Sequence, residues 1–211
     1  MADIYLDTET PPATPGAGSG VLWVDSVTKL AVAKNDAGIA RSLGGSVHNY
    51  STADQAMGTG DTYITGSNIA VPPHLMQVGT IFRWRFVASK TAFGTAAPVF
   101  IVRVGTNGST ADTARLTFTQ VALQTGAVDT GVWDITAVLR NIGASGVLAG
   151  MLTMTHVLAI TGFSTLGANV QQVTSAGFDT TVASSIVGVS GNYGASSVVT
   201  LQAITAEALN L

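Results

Sequence analysis

Four aspartates are the side chains of this 211-residue sequence best suited to chemistry: Asp112, Asp129, Asp134 and Asp179. Two carboxylates that meet in space can hydrolyse a glycosidic bond, one as the acid and the other as a base or nucleophile. However, Asp134 alternates with apolar residues as an outward strand residue does, and Asp129 and Asp179 lie in turn-like stretches. These contexts favour structural roles. We therefore predict no catalytic residues and a protein that is not an enzyme.

Other reactive groups are scattered. The histidines are His48, His74 and His156, and none has a His, Asp or Glu at metal-ligand spacing. His156 lies in an apolar run, which favours a hydrogen-bonded core or interface histidine over a metal ligand. The sequence has no cysteine, no Gly-x-Ser-x-Gly motif, and no glycine-rich turn between a strand and a helix. We expect no metal and no cofactor.

The strands that position these groups centre on Gly79–Gly105. The first run, IFRWRFV, alternates apolar side chains with arginines, and the second run, VFIVRV, alternates in the same way. A period of two puts alternate side chains on opposite faces of a strand. The polar break at residues 90–97 then predicts an antiparallel hairpin with an aromatic side and an arginine side.

Arginines of this predicted hairpin form a candidate subunit interface. Its residues are Arg83, Arg85 and Arg103. The planar guanidinium suits interface ion pairs, and a neighbouring subunit would supply the carboxylates of Asp112, Asp134 or Asp179. A solvated outer sheet face is an equal alternative. A saccharide-binding surface on Trp84 or Trp133 is a third alternative, although both tryptophans lie on the apolar sides of their strands, which favours core packing.

The charge content is unusually low. Only 10% of the residues are charged, against roughly 25% in ordinary globular domains. A surface with so few charges favours burial against copies of the chain or against partners. A net charge of −3 without clustered basic residues argues against nucleic acid. The apolar run Ile142–Ile160 alternates and contains three glycines, so it indicates a buried strand and not a membrane span.

The first 45 residues form a unit of their own in the sequence. The stretch PPATPGAGSG is too rich in Pro and Gly for a helix or central strand, so it predicts an extended arm. Three short strand-like runs follow: Leu22–Val24, Leu30–Lys34 and Ile39–Leu43. Such a small meander cannot be stable alone, so it docks on the chain's own sandwich or on a partner. We predict domains 1–45 and 46–211.

The second predicted domain is all-β. About eight strands of uneven length, separated by Gly, Asn and Ser, are expected from Thr62 to Ala206, and no long run has a helical period. A two-sheet jelly-roll-like β-sandwich is the simplest architecture for such a pattern, preceded here by the Pro/Gly arm and the short β-meander.

The N-terminal unit resembles that of tailed-bacteriophage virion proteins. In that group a Pro/Gly arm and a short L-[WY]-x-D…K-L…G…LGG meander precede a jelly-roll domain. The matching residues are Leu22, Trp23, Asp25, Lys29, Leu30, Gly38, Leu43, Gly44 and Gly45. The C-terminal run, residues 178–211, resembles the closing strands of the same proteins.

The resemblance implies a homotrimeric structural protein of the virion. Such a protein would be either a capsid decoration protein (cement or head-fibre) on the capsid exterior or a tail or collar fibre with a receptor- or glycan-binding role. The implied partners are copies of the chain itself and the major capsid protein or another virion protein, with no nucleic acid and no membrane. Attachment would use the N-terminal segment, through Leu22, Trp23, Asp25, Lys29 and Leu30. A fibre-borne polysaccharide hydrolase is a third, separate alternative.

Overall fold

The computed structural model describes most of the chain, and its regular elements are β-strands. The described residues are 8–9, 11–26, 31–36, 40–42, 46–73, 75–91, 97–120, 124–166, 168–182, 185–193 and 199–211. They contain no helix, which confirms the predicted all-β class.

The strands fall into an N-terminal group and a main group. The N-terminal strands are β1 (Thr8–Glu9), β2 (Gly20–Asp25), β3 (Ala31–Asn35) and β4 (Ala40–Ser42). The main strands are β5 (Ser46–Ser51), β6 (Gln55–Met57), β7 (Thr62–Tyr63), β8 (Ile69–Val71), β9 (Ile81–Lys90), β10 (Val99–Gly105), β11 (Thr113–Thr119), β12 (Asp129–Asn141), β13 (Val147–His156), β14 (Ala168–Thr174), β15 (Ser185–Asn192) and β16 (Val199–Leu209).

The N-terminal strands make a separate four-stranded sheet in the order β1-β2-β3-β4. Strands β2, β3 and β4 are antiparallel neighbours, as the predicted meander requires, and β1 adds to β2 in parallel. Residues 11–19, which hold the Pro/Gly stretch, connect β1 to β2 without forming a strand. The proposed domain boundary at residues 45 and 46 stays a prediction.

The main strands form two sheets whose order is that of a jelly roll. The seven-stranded sheet has the order β14-β13-β12-β9-β16-β5, with β6 beside β16, and the five-stranded sheet has the order β11-β10-β15-β7, with β8 beside β15. If β5–β6 and β7–β8 count as one strand each and β13–β14 are set aside, eight strands remain. Their antiparallel pairs are first with eighth, second with seventh, third with sixth, and fourth with fifth. This is one long hairpin rolled into two sheets, as in a jelly roll.

The core lies between these two sheets and is dominated by aromatic rings. Phe86 of one sheet stacks on Phe100 of the other, with ring centroids 5.5 Å apart. Trp133 packs against Phe100 at 5.7 Å and edge-on against Phe163 at 4.6 Å. Such pairs add about 0.5–1.5 kcal/mol each to the burial of their surface. Inward side chains alternate along β9, β10 and most of β12, as the period of two predicted.

The predicted hairpin of β9 and β10 is wrong. Strand β9 pairs with β12 and β16, whereas β10 pairs with β11 and β15 in the opposite sheet. The aromatic faces of both strands therefore meet across the core, and their arginine faces point away from each other. A jelly roll requires this arrangement, because its third and fourth strands lie on the same arm of the rolled hairpin and enter different sheets.

Candidate functional site

The first candidate surface is the N-terminal sheet, which carries the residues expected to attach the chain. Trp23 is 3% exposed and lies opposite Val32, which is fully buried; Asp25 is buried on the same side. Leu22 has the opposite orientation and is 45% exposed. The remaining two expected residues, Lys29 and Leu30, lie outside the described part of the chain. A partner that approaches the exposed face would therefore contact Leu22, not Trp23.

Contacts within the chain hold this sheet and the arm together. Lys34 Nζ donates to the carbonyl of Pro12 at 2.6 Å, and the carboxylate of Asp36 accepts from the Gly18 amide at 2.7 Å. Trp23 and Val32 belong to the buried apolar cluster of the chain. Of the two docking alternatives, the side that bears Trp23 is thus covered by the chain itself, and the side that bears Leu22 is free to contact a partner.

The second candidate surface is the side of the seven-stranded sheet that points away from the core. We call it the outer face. Arg85 lies directly opposite Asp134 and binds it with two hydrogen bonds of 2.7 and 3.0 Å. Arg83 lies opposite Glu207, with Nη1 3.5 Å from Oε1. The hydrogen bond to Asp134 raises the pKa of the Arg85 guanidinium above its usual value. Both arginines are therefore neutralised within their own chain.

The rest of the outer face is apolar or threonine-rich. A shallow groove of about 360 Å³ lies between the two ion pairs and is lined also by Thr136 and Thr205. Towards the β14 edge, the exposed residues include Met151, and Val170, which is 62% exposed. At one end of the same face, Val87 and Val157 line a second, apolar depression. A sheet face with paired charges and exposed aliphatic side chains has the composition of a protein interface.

Arg103 does not share this face, so the three arginines predicted for one interface lie on two opposite sides of the sandwich. It projects from β10 in the five-stranded sheet and forms an ion pair with Asp61. It also donates to Ser190 Oγ and to the Asp112 carbonyl, each at 2.7 Å. These contacts tie β15 and two loops to β10, so Arg103 has a structural role inside its own chain. Whether any of the three arginines contacts a second subunit stays a prediction.

A buried charge cluster, which the sequence did not predict, lies where β9 and β13 end and β12 begins. Asp129 Oδ2 is 2.7 Å from His156 Nδ1, and both side chains are fully buried. The other ring nitrogen of His156 lies 3.1 Å from the carbonyl of Leu166. Because an ionised carboxylate only accepts hydrogen bonds, Nδ1 donates to Asp129. The interpretation of His156 as a hydrogen-bonded core histidine agrees with these contacts.

Backbone amides complete the binding of the Asp129 carboxylate. It accepts from Thr130, Leu158 and Phe163 at 2.8, 3.3 and 3.0 Å. Burial by itself would raise the pKa of Asp129, but these amides and His156 outweigh burial and lower it. Gly162 approaches so closely, with φ of 79°, that a Cβ there would overlap the carboxylate. The cluster thus fixes the loop after β13 against the start of β12.

Lys90 belongs to the same cluster. The sequence placed it at the start of a polar connection, but it ends β9 and is fully buried. Its Nζ donates to the carbonyls of Thr125 and Gly162. Burial lowers the pKa of Lys90, and the negative charge of Asp129 opposes that effect.

The other acidic candidates also have local partners. Asp112 accepts from the amides of Asn107, Gly108 and Ser109; burial would raise its pKa, but these bonds lower it. Asp179 accepts from the amide and hydroxyl of Thr181 at 2.8 and 2.6 Å. Within the described residues, no group of His, Asp and Glu side chains is arranged to hold a metal ion. In the same part of the chain, no helix is long and apolar enough to cross a membrane.

Both tryptophans considered for a saccharide surface are in the core. Trp84 is 1% exposed and its Nε1 donates to the Ser67 carbonyl at 2.7 Å, and Trp133 is fully buried. Core packing is therefore confirmed for both, and neither offers an exposed platform on which a sugar ring could stack.

Comparison with known proteins gives no match to a protein-family model or to a curated protein. Among solved structures, the chain is similar to the CBM2 module of an evolved Dit from Lactobacillus casei BL23 phage J-1, with 11% identity over 68% of this chain and 69% of the module, at a TM-score of 0.30. It is also similar to a structure of the Gx strain of infectious bursal disease virus, with 10% identity over 78% of this chain and 42% of that chain, at a TM-score of 0.25. Scores this low do not establish a shared fold, so the jelly-roll assignment rests on the strand order.

Proposed function

We propose that this chain is a non-enzymatic structural protein of a phage virion, a capsid decoration protein that acts as a homotrimer. The observation that carries the proposal is a jelly-roll body with a wide, charge-poor outer face on its larger sheet. The phage setting rests on the resemblance of the N-terminal meander, residues 22–45, to tailed-phage virion proteins.

The outer face is large enough to form a stable subunit interface. Six strands about 4.8 Å apart span roughly 24 Å, and the ten residues of β9 extend about 33 Å, which gives about 800 Å² in plan. A standard interface buries about 800 Å² per partner. Arg83 and Arg85 already form ion pairs within the chain. Burial of this face would therefore leave neither arginine as an unpaired buried charge.

Attachment to the virion is assigned to the N-terminal sheet. Its exposed side carries Leu22, and its covered side is fixed by Trp23 and Val32. The outer face and the N-terminal sheet are formed by different strands, so self-association and attachment can be changed separately.

The copy number of the chain in purified particles tests the decoration role. Quantitative gel analysis should give a number comparable to that of the major coat protein. A handful of copies per particle would instead assign the chain to a tail or collar fibre. Absence from particles would overturn the virion role altogether.

Light scattering coupled to gel filtration tests the role of the outer face. The native chain should elute with three times the mass of one 21.4 kDa chain. Val170→Lys places a charge in the proposed interface and should shift the mass towards one chain. Val78→Lys is the matched control, because Val78 is 60% exposed in the turn before β9. A single-chain mass for the native protein, or equal effects of both variants, would contradict the proposed interface.

A further inference from the structure

A second feature of the molecule, unrelated to the outer face, is a cleft beside the edge strand β11. Arg115 lines it from an irregular position on that strand: Val102 pairs with Leu116 and Arg103 pairs with Ala114. Arg115 is therefore the extra residue of a β-bulge. Bulges turn a side chain away from the direction that regular pairing would give it, and they occur often beside functional sites.

The Arg115 guanidinium is held in place without an acidic partner. Its Cζ lies 4.8 Å above the centre of the Phe178 ring, and that ring is itself buried. Within the part of the chain that the structure describes, no carboxylate forms an ion pair with Arg115, and its Nε is buried without a hydrogen-bond acceptor. Burial lowers the pKa of Arg115. A half-buried cation with an unused donor is costly unless an anion completes it.

The cleft has a volume of about 220 Å³ and offers more than a positive charge. Hydroxyl groups line it from Thr106, Thr113 and Ser185, and apolar surface comes from valines 104 and 182. Asp179 also lines the cleft. Both bonds that Asp179 receives from Thr181 end on Oδ1, so its Oδ2 can accept a hydrogen bond from a ligand.

We propose that this cleft binds a small polyhydroxylated carboxylic acid, that is, a sugar acid, with its carboxylate on Arg115. The guanidinium binds a carboxylate through two parallel hydrogen bonds and in doing so neutralises its own charge. The ligand hydroxyls bond to Asp179 and to the serine and threonine hydroxyls, and its C–H face packs on the valines. The volume holds about seven waters at roughly 30 Å³ each, which is enough for one monosaccharide unit.

Asp179 distinguishes this ligand class from phosphate or sulfate. A dianion bound to Arg115 would place two negative charges beside a carboxylate that is already ionised, and like charges in one site repel. A monocarboxylate brings one charge, which Arg115 neutralises, and its hydroxyls can donate to Asp179. This proposal does not depend on the virion role, since the cleft lies outside both candidate assembly surfaces.

Titration of the full-length protein with D-glucuronate, D-glucose and inorganic phosphate tests the proposal. We expect glucuronate to bind with a dissociation constant on the order of 1 mM, and glucose and phosphate at least about tenfold more weakly. Arg115→Gln should weaken glucuronate binding about tenfold or more. Arg115→Lys should weaken it less, because the ammonium group keeps the positive charge but cannot form the two parallel hydrogen bonds of a guanidinium. Asp179→Asn should reduce the preference for glucuronate over phosphate. Arg140→Gln removes the same charge from an exposed position of β12 and should leave binding unchanged.

Amide chemical shifts of the native protein provide a readout that needs no variant to fold. Glucuronate should move the amide signals of Thr113 and Ser185, which line the cleft, and not those of Thr136 and Thr205 on the outer face. The proposal is overturned if glucuronate and glucose bind alike, if Arg140→Gln weakens binding as much as Arg115→Gln, or if the shifts fall on the outer face. Any of these results would overturn the ligand-binding proposal alone, because the oligomer and copy-number tests do not involve this cleft.

Discussion

Replacement of Asp129 by asparagine should lower the free energy of unfolding by about 3–6 kcal/mol at pH 7, because it removes a buried carboxylate that accepts four hydrogen bonds. Each carboxylate oxygen of Asp129 accepts two hydrogen bonds: Oδ1 from Thr130 and Leu158, and Oδ2 from Phe163 and His156. Asparagine keeps one oxygen and turns an NH₂ group towards the other two donors. Two hydrogen bonds to a charged acceptor are lost, at about 1.5–3 kcal/mol each, which gives about 3–6 kcal/mol in total.

The pH dependence of this loss follows from the direction of the pKa shift. The folded-state pKa of Asp129 is lowered, so its contribution to stability is fully present above the unfolded pKa of about 3.9 and declines as the pH falls through the folded value. The difference between the native chain and Asp129→Asn should therefore shrink as the pH falls below about 4.

Urea denaturation followed by tryptophan fluorescence measures this difference, at one fixed protein concentration because association shifts apparent stability. Asp36→Asn is the matched control: it removes an exposed hydrogen bond from the Gly18 amide, away from the outer face, and should cost at most about 1.5 kcal/mol. If Asp129→Asn costs no more than the control, or if the gap is the same at pH 3.5 as at pH 7, the hydrogen bonds of this carboxylate do not stabilise the fold as argued.

Two further substitutions test the packing between the sheets. A Cβ at Gly150 would overlap Leu116 and lie 2.9 Å from Phe118, so Gly150→Val should cost about 1–3 kcal/mol in a thermal melt, while Ala149→Val on the outward side of the same strand should cost less than about 1. Burial, reinforced by the charge of Asp112, raises the pKa of Tyr63 to about 12. Ionisation of Tyr63 therefore opposes folding as the pH rises from 10 to about 12, so Tyr63→Phe should remove one phenolate absorbance step near pH 12 and flatten the alkaline loss of stability. An unchanged titration curve would contradict that assignment.

Strands could be predicted from the sequence because alternation is a local property. The buried and exposed sides of β9, β10 and β12 are as the period of two required, and Trp84 and Trp133 lie in the core. Alternation shows which side of a strand faces inward, but not which strand lies beside it. The apolar sides of β9 and β10 are equally satisfied by a shared sheet and by two sheets that face each other, and only the second is compatible with the rolled pairing.

The two polar sites could not be predicted for a related reason. Asp129 and His156 meet because β12 and β13 pair in one register, and Lys90 joins them because β9 pairs with β12 from the other side. Nothing in the spacing of these residues marks them as neighbours. Arg115 is likewise directed into its cleft by a bulge, which is set by the register of β10 against β11 and not by the sequence of either strand alone.

The hairpin β13–β14 explains why one sheet offers so wide a face. It extends the larger sheet beyond β12, and its inner side packs over β11, where Gly150 lies against Leu116 and Gln171 donates to the Thr119 carbonyl. The edge strand of the smaller sheet is thereby covered, which removes a site for unwanted strand pairing. The outer side of the same hairpin, with Met151 and Val170, has nothing above it among the described residues. A hairpin that protects one edge thus enlarges the opposite face with aliphatic surface, and a chain so poor in charged side chains can cover that surface most simply with another copy of itself.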